Sequence, residues 1–599
     1  MKQENFVIVC RQLIEKPEAT QRELAVGGGL SLGLVNATIK ECLAEGYLLK
    51  KDRQELVLTE KGQAYLELFR VKNAVILTAG FGIRCVPLTY ETPKGLLEVY
   101  GKPMIERQIE QLLEKGINDI VLVVGYKKEM FDYLIDKFGV KLVYNREYGV
   151  KNTLTSLYYV AEYLDSTYLL EADNWIENNV FHLYEAYNWH TVVYMQGPTH
   201  ELCAMASATD KIESMFFSGE DDWAIIGPAY FSPAFSKKLK VFLIDYYNRP
   251  GTENFYWEQI MVDHIDELPM YLNRQTGNVH EFENLEELRM FDPTYINASN
   301  NQVMEAIAEA CCVPEEEISD IFPIKAGVIN NSFRFSIKQD SYVCRIPRNK
   351  ADKMLEPQKE KAIYKAIQHL GISDEIVSLD TGSGVKITRY FGNARITDPF
   401  DDRELELCMK QIRIAHESGV TIPDTHDIDE IIEYYIESAD TLNAIRFSDI
   451  RETREKYQQL LDIRRKLGVP HILYHGDYNH SNVMITQDGE VKILDWEYGG
   501  MGDPLIDVAM YAIFAGFNRE RVDYSLRLYL KKEPLIQERI RLYLNIALSG
   551  LLWAMWSQYN QAIDQEFGDY PLRMYRYMKD YYLLTIENYQ KLIEMEVSQ

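Results

Sequence analysis

Apolar and polar positions follow three different patterns along the chain, and these patterns predict its domains. Residues 1–72 show helical spacing up to Leu43 and then two short alternating runs, which predicts helices followed by a two-stranded wing. Residues 73–298 contain continuous apolar runs such as Asn73–Thr78, typical of buried parallel strands. Residues 303–599 follow a polar, turn-rich linker. The pattern predicts a multidomain protein of the α/β and α+β classes.

The most informative polar positions lie in the segment Tyr474–Trp496. Asp477 lies in a turn, Asn482 follows it, and Asp495 ends an apolar run. The Asp-Gly pair between the last two predicts a hairpin that would bring Asn482 and Asp495 together. Phosphoryl transfer needs such a set, because one carboxylate accepts the proton of the attacking hydroxyl while an amide oxygen and a second carboxylate hold Mg²⁺ on ATP. We therefore expect Asp477 to be catalytic and Asn482 and Asp495 to be metal ligands.

This segment, HGDxxxxN followed by LDWE, resembles the aminoglycoside phosphotransferase and choline kinase superfamily, whose fold is bilobal and protein-kinase-like. The resemblance implies that the segment 325–335 covers ATP, with Gly327 and Asn330-Asn331 in its turn. It implies that Arg345 pairs with the phosphates and that Glu360 is the acidic partner of Arg345, with Glu356 as a competing candidate.

Two further features of residues 303–599 support this resemblance. A GDPxxD segment implies that Asp507 buttresses the catalytic loop. Trp553 and Trp556 are three apart, hence on one helix face, and Tyr570 follows. This arrangement resembles the choline and ethanolamine kinases, which implies that the three rings enclose the substrate ammonium. The alternative is an aromatic stripe that faces the core.

The middle stretch carries features of a nucleotide site. Its first strand runs into a glycine-rich loop, whose backbone amides can approach phosphates, and the absence of GxGxxG disfavours a dinucleotide loop. The residues expected at the triphosphate are Ala79, Gly80, Gly82 and Arg84. Asp173 follows another apolar strand, at the edge where α/β sheets bind ligands, and suits Mg²⁺.

With Lys94 after a Thr-Pro pair, these features resemble the bacterial CTP:phosphocholine cytidylyltransferases, a Rossmann-like nucleotidyltransferase family. The resemblance implies that Lys94 stabilises charge at the α-phosphorus, that Asn145 and Asn152 contact the base and the substrate, and that Glu283 is the second metal ligand. The sequence departs from the family at Ile83, where Ser or Thr is usual, and at Glu283, where Asp is usual.

Three aromatic residues of this stretch are candidate phosphocholine ligands. They are Tyr230, Tyr256 and Trp257, and the last two match a Tyr-Trp pair of the family. Aromatic faces attract quaternary ammonium groups. The alternative is a core role, because incidental aromatic clusters are expected in a chain with 41 tyrosines.

Residues 1–72 resemble a MarR-like winged helix. The resemblance implies DNA binding through the helix at 31–43, with Asn36, Thr38 and Lys40 as polar readers. Cations and acids nearly balance over these residues, so self-association or docking is the alternative.

Bulk composition narrows the function classes. A net charge of −27 argues against general nucleic-acid binding, which depends on phosphate neutralisation. Eight cysteines without CxxC spacing predict a reduced, cytoplasmic protein without a zinc site. The N-terminus shows no signal-peptide pattern, and the most apolar run, Leu542–Trp556, predicts a buried helix rather than a membrane span.

The combined prediction is a bifunctional, Mg²⁺-dependent enzyme that phosphorylates choline with ATP and then joins phosphocholine to CTP, releasing pyrophosphate. Three alternatives stay open. They are the same chemistry on ethanolamine or another amino alcohol, a winged-helix regulator whose enzyme-like domains sense ligands, and a sugar-1-phosphate nucleotidyltransferase fused to an unrelated kinase.

Overall fold

The computed structural model describes residues 2–51, 55–297, 299–324, 330–347, 352–423, 425–562 and 567–597. The chain forms two compact units, Met1–Glu305 and Ala306–Gln599. The first unit therefore includes both the N-terminal helices and the middle stretch. None of the helices within the described ranges is long and apolar enough to cross a membrane.

The N-terminal region is helical and contains one short antiparallel hairpin. Its elements are α1 (Gln3–Glu15), α2 (Gln21–Gly27), α3 (Leu32–Ala44), β1 (Leu48–Lys50), β2 (Leu56–Leu58) and α4 (Glu60–Leu66). Thr20 and Glu23 form a capping box that starts α2. Tyr184, from the middle stretch, packs into the apolar core of this region, and its hydroxyl donates to Glu67 at 2.7 Å. The N-terminal helices are thus packed against the middle stretch.

A nine-stranded sheet forms the core of the middle stretch. The strands of this stretch are β3 (Asn73–Thr78), β4 (Glu98–Val99), β5 (Lys102–Pro103), β6 (Ile120–Val124), β7 (Lys141–Tyr144), β8 (Thr167–Glu171), β9 (Asn174–Ile176), β10 (Trp189–Tyr194), β11 (Leu202–Ala206), β12 (Ile212–Phe217), β13 (Trp223–Phe231), β14 (Tyr271–Gln275) and β15 (Val279–Glu281). The main order is β12-β11-β13-β8-β3-β6-β7, and β10 pairs with β13 and β14.

Strand β3 lies parallel to both β6 and β8, as the apolar runs predicted. All six residues of β3 are buried, because helices cover both faces of a parallel sheet. The glycine-rich loop after β3 and Asp173 after β8 therefore lie at the same edge of the sheet. The helices of the middle stretch are α5 (Leu88–Glu91), α6 (Met104–Glu114), α7 (Tyr133–Phe138), α8 (Thr153–Tyr159), α9 (Pro233–Asn248), α10 (Glu258–Asp263), α11 (Leu285–Phe291) and α12 (Thr294–Asn297). The next helix, α13 (Gln302–Cys311), begins in the first unit and ends in the second.

The second unit begins with a five-stranded antiparallel sheet in the order β16-β17-β18-β20-β19. Its strands and those that follow are β16 (Ile318–Pro323), β17 (Asn330–Ile337), β18 (Asp340–Pro347), β19 (Ile376–Leu379), β20 (Lys386–Arg389), β21 (Arg395–Ile396), β22 (Ile472–Tyr474), β23 (Val483–Ile485), β24 (Val491–Ile493) and β25 (Gly500–Gly502). The antiparallel pairing of β23 with β24 confirms the predicted hairpin.

Helices make up most of the rest of the second unit. They are α14 (Pro357–Ile367), α15 (Asp402–His416), α16 (Ile428–Thr441), α17 (Ile450–Leu467), α18 (Leu505–Ala515), α19 (Arg519–Leu530), α20 (Ile536–Gln561) and α21 (Tyr570–Val597). The apolar run Leu542–Trp556 lies inside α20 and is buried, which confirms the predicted core helix.

Candidate active sites

A cleft at the carboxyl edge of the nine-stranded sheet gathers many of the predicted nucleotide ligands. The predicted residues that line it are Ala79, Gly80, Gly82, Arg84, Lys94, Asn152, Asp173 and Tyr256. Gly82 has φ of +66°, and a Cβ atom there would lie 3.0 Å from Cβ of Lys94. A glycine is therefore needed for the loop to turn close to the lysine.

Lys94 is buried against acids in this cleft. Its Nζ lies 2.6 Å from Oδ2 of Asp173 and 3.7 Å from Oε1 of Glu281. Glu171, Asp173 and Glu281 each offer a carboxylate oxygen, and these oxygens lie within 4.8 Å of one another. Such an oxygen set suits a hard divalent cation such as Mg²⁺.

The acids of the cleft affect one another. Burial raises the pKa of Glu281 to about 7, with a contribution from the charge of Asp173. Burial, reinforced by the neighbouring acids, also raises the pKa of Glu171 well above its ordinary value. Burial alone would lower the pKa of Lys94, but Asp173 and Glu281 raise it above the usual range. The lysine therefore stays charged beside acids that outnumber it.

Glu283, the predicted second metal ligand, does not lie in this acidic cluster. Its carboxylate pairs with Arg84 instead, and Glu281 occupies the cluster. Strand β15 ends at Glu281, which pairs in register with Asn174, directly after Asp173. The chain then turns into α11, so Glu283 lies past the strand. We correct the metal-ligand prediction from Glu283 to Glu281.

The two predicted asparagines take different places. Asn152 caps α8 and lines the cleft. Asn145 is buried and does not line the cleft, and its amide donates to Oγ of Ser156 at 3.0 Å. Because Ser156 itself lines the cleft, Asn145 supports the site indirectly, and its side-chain oxygen also accepts the backbone N–H of Glu147 at 2.9 Å.

Only one of the three predicted aromatic ligands faces the cleft. Tyr256 lines it and is 50% exposed. Trp257 is 1% exposed and stacks on His190, lining only a small inner cavity beside Glu258 and Glu281. Tyr230 is also 1% exposed, and its hydroxyl lies 2.9 Å from Oγ of Ser166 in the core. Tyr230, in β13, and Trp257, directly before α10, are therefore core residues.

The candidate catalytic loop of the second unit brings Asn482 next to Asp477. The amide of Asn482 donates to Oδ2 of Asp477 at 2.9 Å. Asp507 is fully buried and accepts the backbone N–H groups of His475 (2.7 Å) and Gly476 (2.9 Å). Gly476 has φ of +80°, and a Cβ atom there would lie 2.2 Å from a backbone oxygen. Asp507 and the glycine thus hold the turn that presents Asp477.

A buried ion-pair network lies next to this loop. Arg345 contacts both carboxylate oxygens of Glu360, at 2.6 and 2.8 Å, as predicted. The competing candidate, Glu356, pairs with His426 instead, at 3.4 Å. Arg345 also reaches Asp495 at 3.0 Å.

Two members of the network were missed from the sequence. Lys386 contacts Glu360 at 3.0 Å and Asp495 at 2.8 Å, and Glu497 contacts Arg345 at 2.8 Å. Lys386 is the first residue of β20, a short strand whose own sequence does not distinguish this lysine from a surface residue. Its register opposite Arg345 is a property of the folded sheet.

The carboxyl groups of Asp477 and Asp495 have opposite pKa shifts. Burial, with the charge of Glu497, raises the pKa of Asp477 to about 8. Burial also opposes ionisation of Asp495, but Lys386 and Arg345 lower its pKa well below its ordinary value. Asp495 is therefore charged and able to bind a cation. Asp477, by contrast, holds its proton up to about pH 8 in the absence of substrate.

The remaining predicted ligands of the second unit lie in or near the core. Trp553 and Trp556 are buried, 5.2 Å apart in edge-to-face geometry. Tyr570 is partly buried, and the charge of Asp477 contributes to its raised pKa after burial. Asn330 begins β17, and its amide lies 3.4 Å from Glu497. The predicted glycine of the ATP loop, Gly327, lies outside the described residues.

Two family models match the chain. Residues 73–200 match the nucleotidyl transferase family, and residues 320–543 match the phosphotransferase enzyme family. The glycine-rich loop and Asp173 fall within the first match, and Asp477, Asn482 and Asp495 fall within the second, whereas Tyr256 and Glu281 lie beyond residue 200.

Three curated proteins illustrate the similarity. A choline-phosphate cytidylyltransferase of Streptococcus pneumoniae is 36% identical over 221 residues, which are 37% of this chain and 96% of that protein. A 2-aminoethylphosphonate cytidylyltransferase of Lancefieldella rimae is 34% identical over 37% of this chain and 93% of its own length. Protein LicA of Haemophilus influenzae is 26% identical over 44% of this chain and 82% of its own length.

Proposed function

Because the chain belongs, through its middle stretch, to the family of the choline-phosphate cytidylyltransferases, we propose that it is a bifunctional enzyme that makes CDP-choline. The second unit phosphorylates choline with ATP, and the cleft of the first unit transfers a cytidylyl group from CTP to phosphocholine. One observation carries the proposal: a nucleotidyltransferase region and a phosphotransferase region, each with an assembled charged site, lie in one chain. Phosphocholine is the compound that connects the two reactions.

In the kinase reaction Asp477 accepts the proton of the choline hydroxyl as that oxygen attacks the γ-phosphorus of ATP. Asn482 holds the Asp477 carboxylate in place. The oxygens of Asp495 and Asn482 suit Mg²⁺, which would neutralise phosphate charge when bound. Arg345, fixed by Glu360, is one cation that would face the α- and β-phosphates without leaving its acidic partners.

In the cytidylyl transfer a phosphate oxygen of phosphocholine attacks the α-phosphorus of CTP, and pyrophosphate leaves. The glycine-rich loop and Arg84 face the triphosphate, and Lys94 stabilises the negative charge that develops at the α-phosphorus. Asp173, Glu171 and Glu281 form the oxygen set that suits Mg²⁺. Tyr256 is placed to receive the trimethylammonium group on its exposed ring. Neither reaction needs a covalent enzyme intermediate, since both depend on positioning and charge neutralisation.

The test is pyrophosphate release from the full chain given choline, ATP, CTP and Mg²⁺, with each omitted in turn. Release that requires all four supports both steps. Supplying phosphocholine should remove the need for choline and ATP while leaving the need for CTP. ADP formation without pyrophosphate release would contradict the cytidylyltransferase half and leave the kinase half standing.

A second candidate is the same chemistry on a primary amine, such as ethanolamine. The observation that favours it is the small inner cavity, where Oε2 of Glu258 is buried without a hydrogen-bond partner beside Glu171 and Glu281. A primary ammonium could donate to these acids, whereas a trimethylammonium has no N–H group. The ratio of kcat/KM for phosphocholine and phosphoethanolamine distinguishes the two candidates.

The N-terminal helices carry a separate hypothesis of DNA binding or self-association. On α3, Thr38 is buried and therefore unable to read bases, which corrects that part of the prediction. Leu32 and Leu34 are exposed on the same helix, and Lys40 is also exposed. This surface favours self-association over DNA reading. A gel shift with random-sequence duplex at low salt, together with the oligomeric state from light scattering, tests both.

A further inference from the structure

Lys386 holds an unusual position for a lysine of a kinase site. Its side chain is 3% exposed, and its Nζ lies 3.0 Å from Glu360, 2.8 Å from Oδ1 of Asp495 and 3.1 Å from the hydroxyl of Tyr364. A lysine is rarely buried unless it is paired with acids. Here two acids are paired with it, and one of them is the predicted metal ligand.

Lys386 stands directly opposite Arg345 in the antiparallel pair β18–β20. Opposite residues of such a pair lie on the same face of the sheet, and like charges there repel. The repulsion is relieved because Glu360 and Asp495 each contact both cations. The same oxygen of Asp495, Oδ1, receives Arg345 at 3.0 Å and Lys386 at 2.8 Å.

The two cations are not equivalent. Arg345 uses one guanidinium nitrogen on Glu360 and the other on Glu497 and Asp495, so its planar fork is committed to fixed acids. Lys386 presents a compact ammonium on a flexible stem, which can exchange one partner for another by small rotations. Of these two cations, Lys386 is the one that can release Asp495 and turn to a phosphate.

We propose that Lys386 is a positioning residue that neutralises Asp495 until the metal–nucleotide complex binds and then pairs with the nucleotide phosphates. The proposal rests on the kinase half of the proposed function. A dication at Asp495 would compete with the lysine for the same carboxylate, so Lys386 sets the metal affinity of the site. Its side chain would follow the negative charge, from the carboxylate in the free enzyme to the phosphates in the complex.

The proposal predicts two shifts of opposite sign in Lys386→Met. Mn²⁺ alone, measured from the electron paramagnetic resonance signal of the free ion, should bind about tenfold more tightly to the second unit, because a competing positive charge is gone. The KM for ATP should rise about tenfold or more, because a phosphate partner is lost. A residue that only supports the fold would weaken both or change neither.

The experiment uses the full chain with Asp173→Asn, which removes the other acidic cluster as a metal site. Binding that survives Asp495→Asn is subtracted as unrelated. Lys386→Arg keeps the charge and should bind Mn²⁺ as the parent does. Lys359→Met removes another buried lysine of this unit and should leave both measurements unchanged. If Lys386→Met unfolds, Lys386→Gln is the substitute, with thermal unfolding monitored for each protein.

Unchanged or weaker Mn²⁺ binding in the folded Lys386 variants would overturn the proposal. The metal readout needs no acceptor substrate. If choline is not the acceptor, ADP formation with choline fails in the parent protein while the Mn²⁺ shift persists. Failure of the proposed function and failure of the inference are therefore distinguishable.

Discussion

The two candidate active sites place cations against buried acids in different proportions. Among the described residues of the first unit, Lys94 is the cation paired with Asp173 and Glu281, and Glu171 lies in the same cluster. Burial, reinforced by the charge of Asp173, raises the pKa of Glu281 to about 7. Negative charge in this cleft is left for a divalent cation to neutralise.

In the second unit two cations, Arg345 and Lys386, share the acids, and the pKa of Asp495 is lowered. The candidate metal ligand there, Asp495, is ionised and already paired with these cations. Similar carboxylates can thus be prepared to bind a metal in two ways. In the first, the acids carry more negative charge than the nearby cation neutralises. In the second, the carboxylate is paired with a cation that a metal can replace. Substitutions at one site should therefore have different effects from substitutions at the other.

Asp477→Asn should cause the largest effect. Without the carboxylate that accepts the hydroxyl proton, ADP formation with choline should fall about 10²- to 10⁴-fold. Pyrophosphate release from phosphocholine and CTP should stay at the parent rate, because the two sites use separate residues. Asp488→Asn, in the exposed turn of the hairpin, is the matched control and should leave both rates unchanged. A kinase rate that is unchanged in Asp477→Asn would contradict the kinase assignment.

Glu281→Gln and Glu283→Gln should separate the cluster from its neighbour. Glu281 shares the acidic cluster, so its loss should lower pyrophosphate release about 10²-fold or more and raise the Mg²⁺ concentration needed. Glu283 pairs with Arg84, so its loss should have a smaller effect on the Mg²⁺ requirement. The measurement is initial rate against Mg²⁺ concentration. The reverse order of effects would restore Glu283 as the ligand.

The kinase rate should depend on pH through Asp477. Its pKa is raised to about 8 and only the ionised form accepts a proton, so kcat/KM should rise about tenfold per pH unit below 8 and level off above it. Glu497→Gln removes a negative charge that raises this pKa, so the midpoint should move to lower pH. A profile that is flat from pH 6 to 9 would contradict the role of Asp477 as the base.

The smallest effects should come from the adjacent aromatic residues Tyr256 and Trp257. Tyr256→Ala should raise the KM for phosphocholine about 2- to 30-fold, which corresponds to loss of a cation–π contact of about 0.5–2 kcal/mol, without changing stability. Trp257→Ala should cost about 3–5 kcal/mol of stability by opening a cavity in the core. Kinetics and denaturant unfolding of both variants give the comparison. A stable Trp257→Ala protein with raised KM would return Trp257 to the binding site.

Much of the fold could be predicted from local patterns because the physics there is local. The continuous apolar run of β3, the turn signal between β23 and β24 and the capping box at Thr20 each act over a few residues. Motif spacing likewise predicted that Asp477, Asn482 and Asp495 share one site. The hairpin between Asn482 and Asp495 brings its two ends together, and Asp477 lies only five residues before Asn482. These assignments needed no knowledge of distant contacts.

The errors have a common physical cause. Tyr230 and Trp257 were predicted as ligands because aromatic residues suit both cores and ammonium sites, and only packing against other elements distinguishes the two. Glu283 was preferred to Glu281 by family spacing, but the pairing of β15 with β9 decides which carboxylate meets Asp173. In each case the deciding neighbour lies far away along the chain.

The sequence by itself determined that this chain holds a nucleotidyltransferase region and a phosphotransferase region, and which loop of each carries the chemistry. The tertiary structure alone decided how the charges are balanced. It placed Lys386 opposite Arg345, Glu281 beside Asp173, and Tyr184 within the N-terminal core. Charge balance and burial depend on residues that only long-range strand pairing and helix packing bring together, so no local pattern records them.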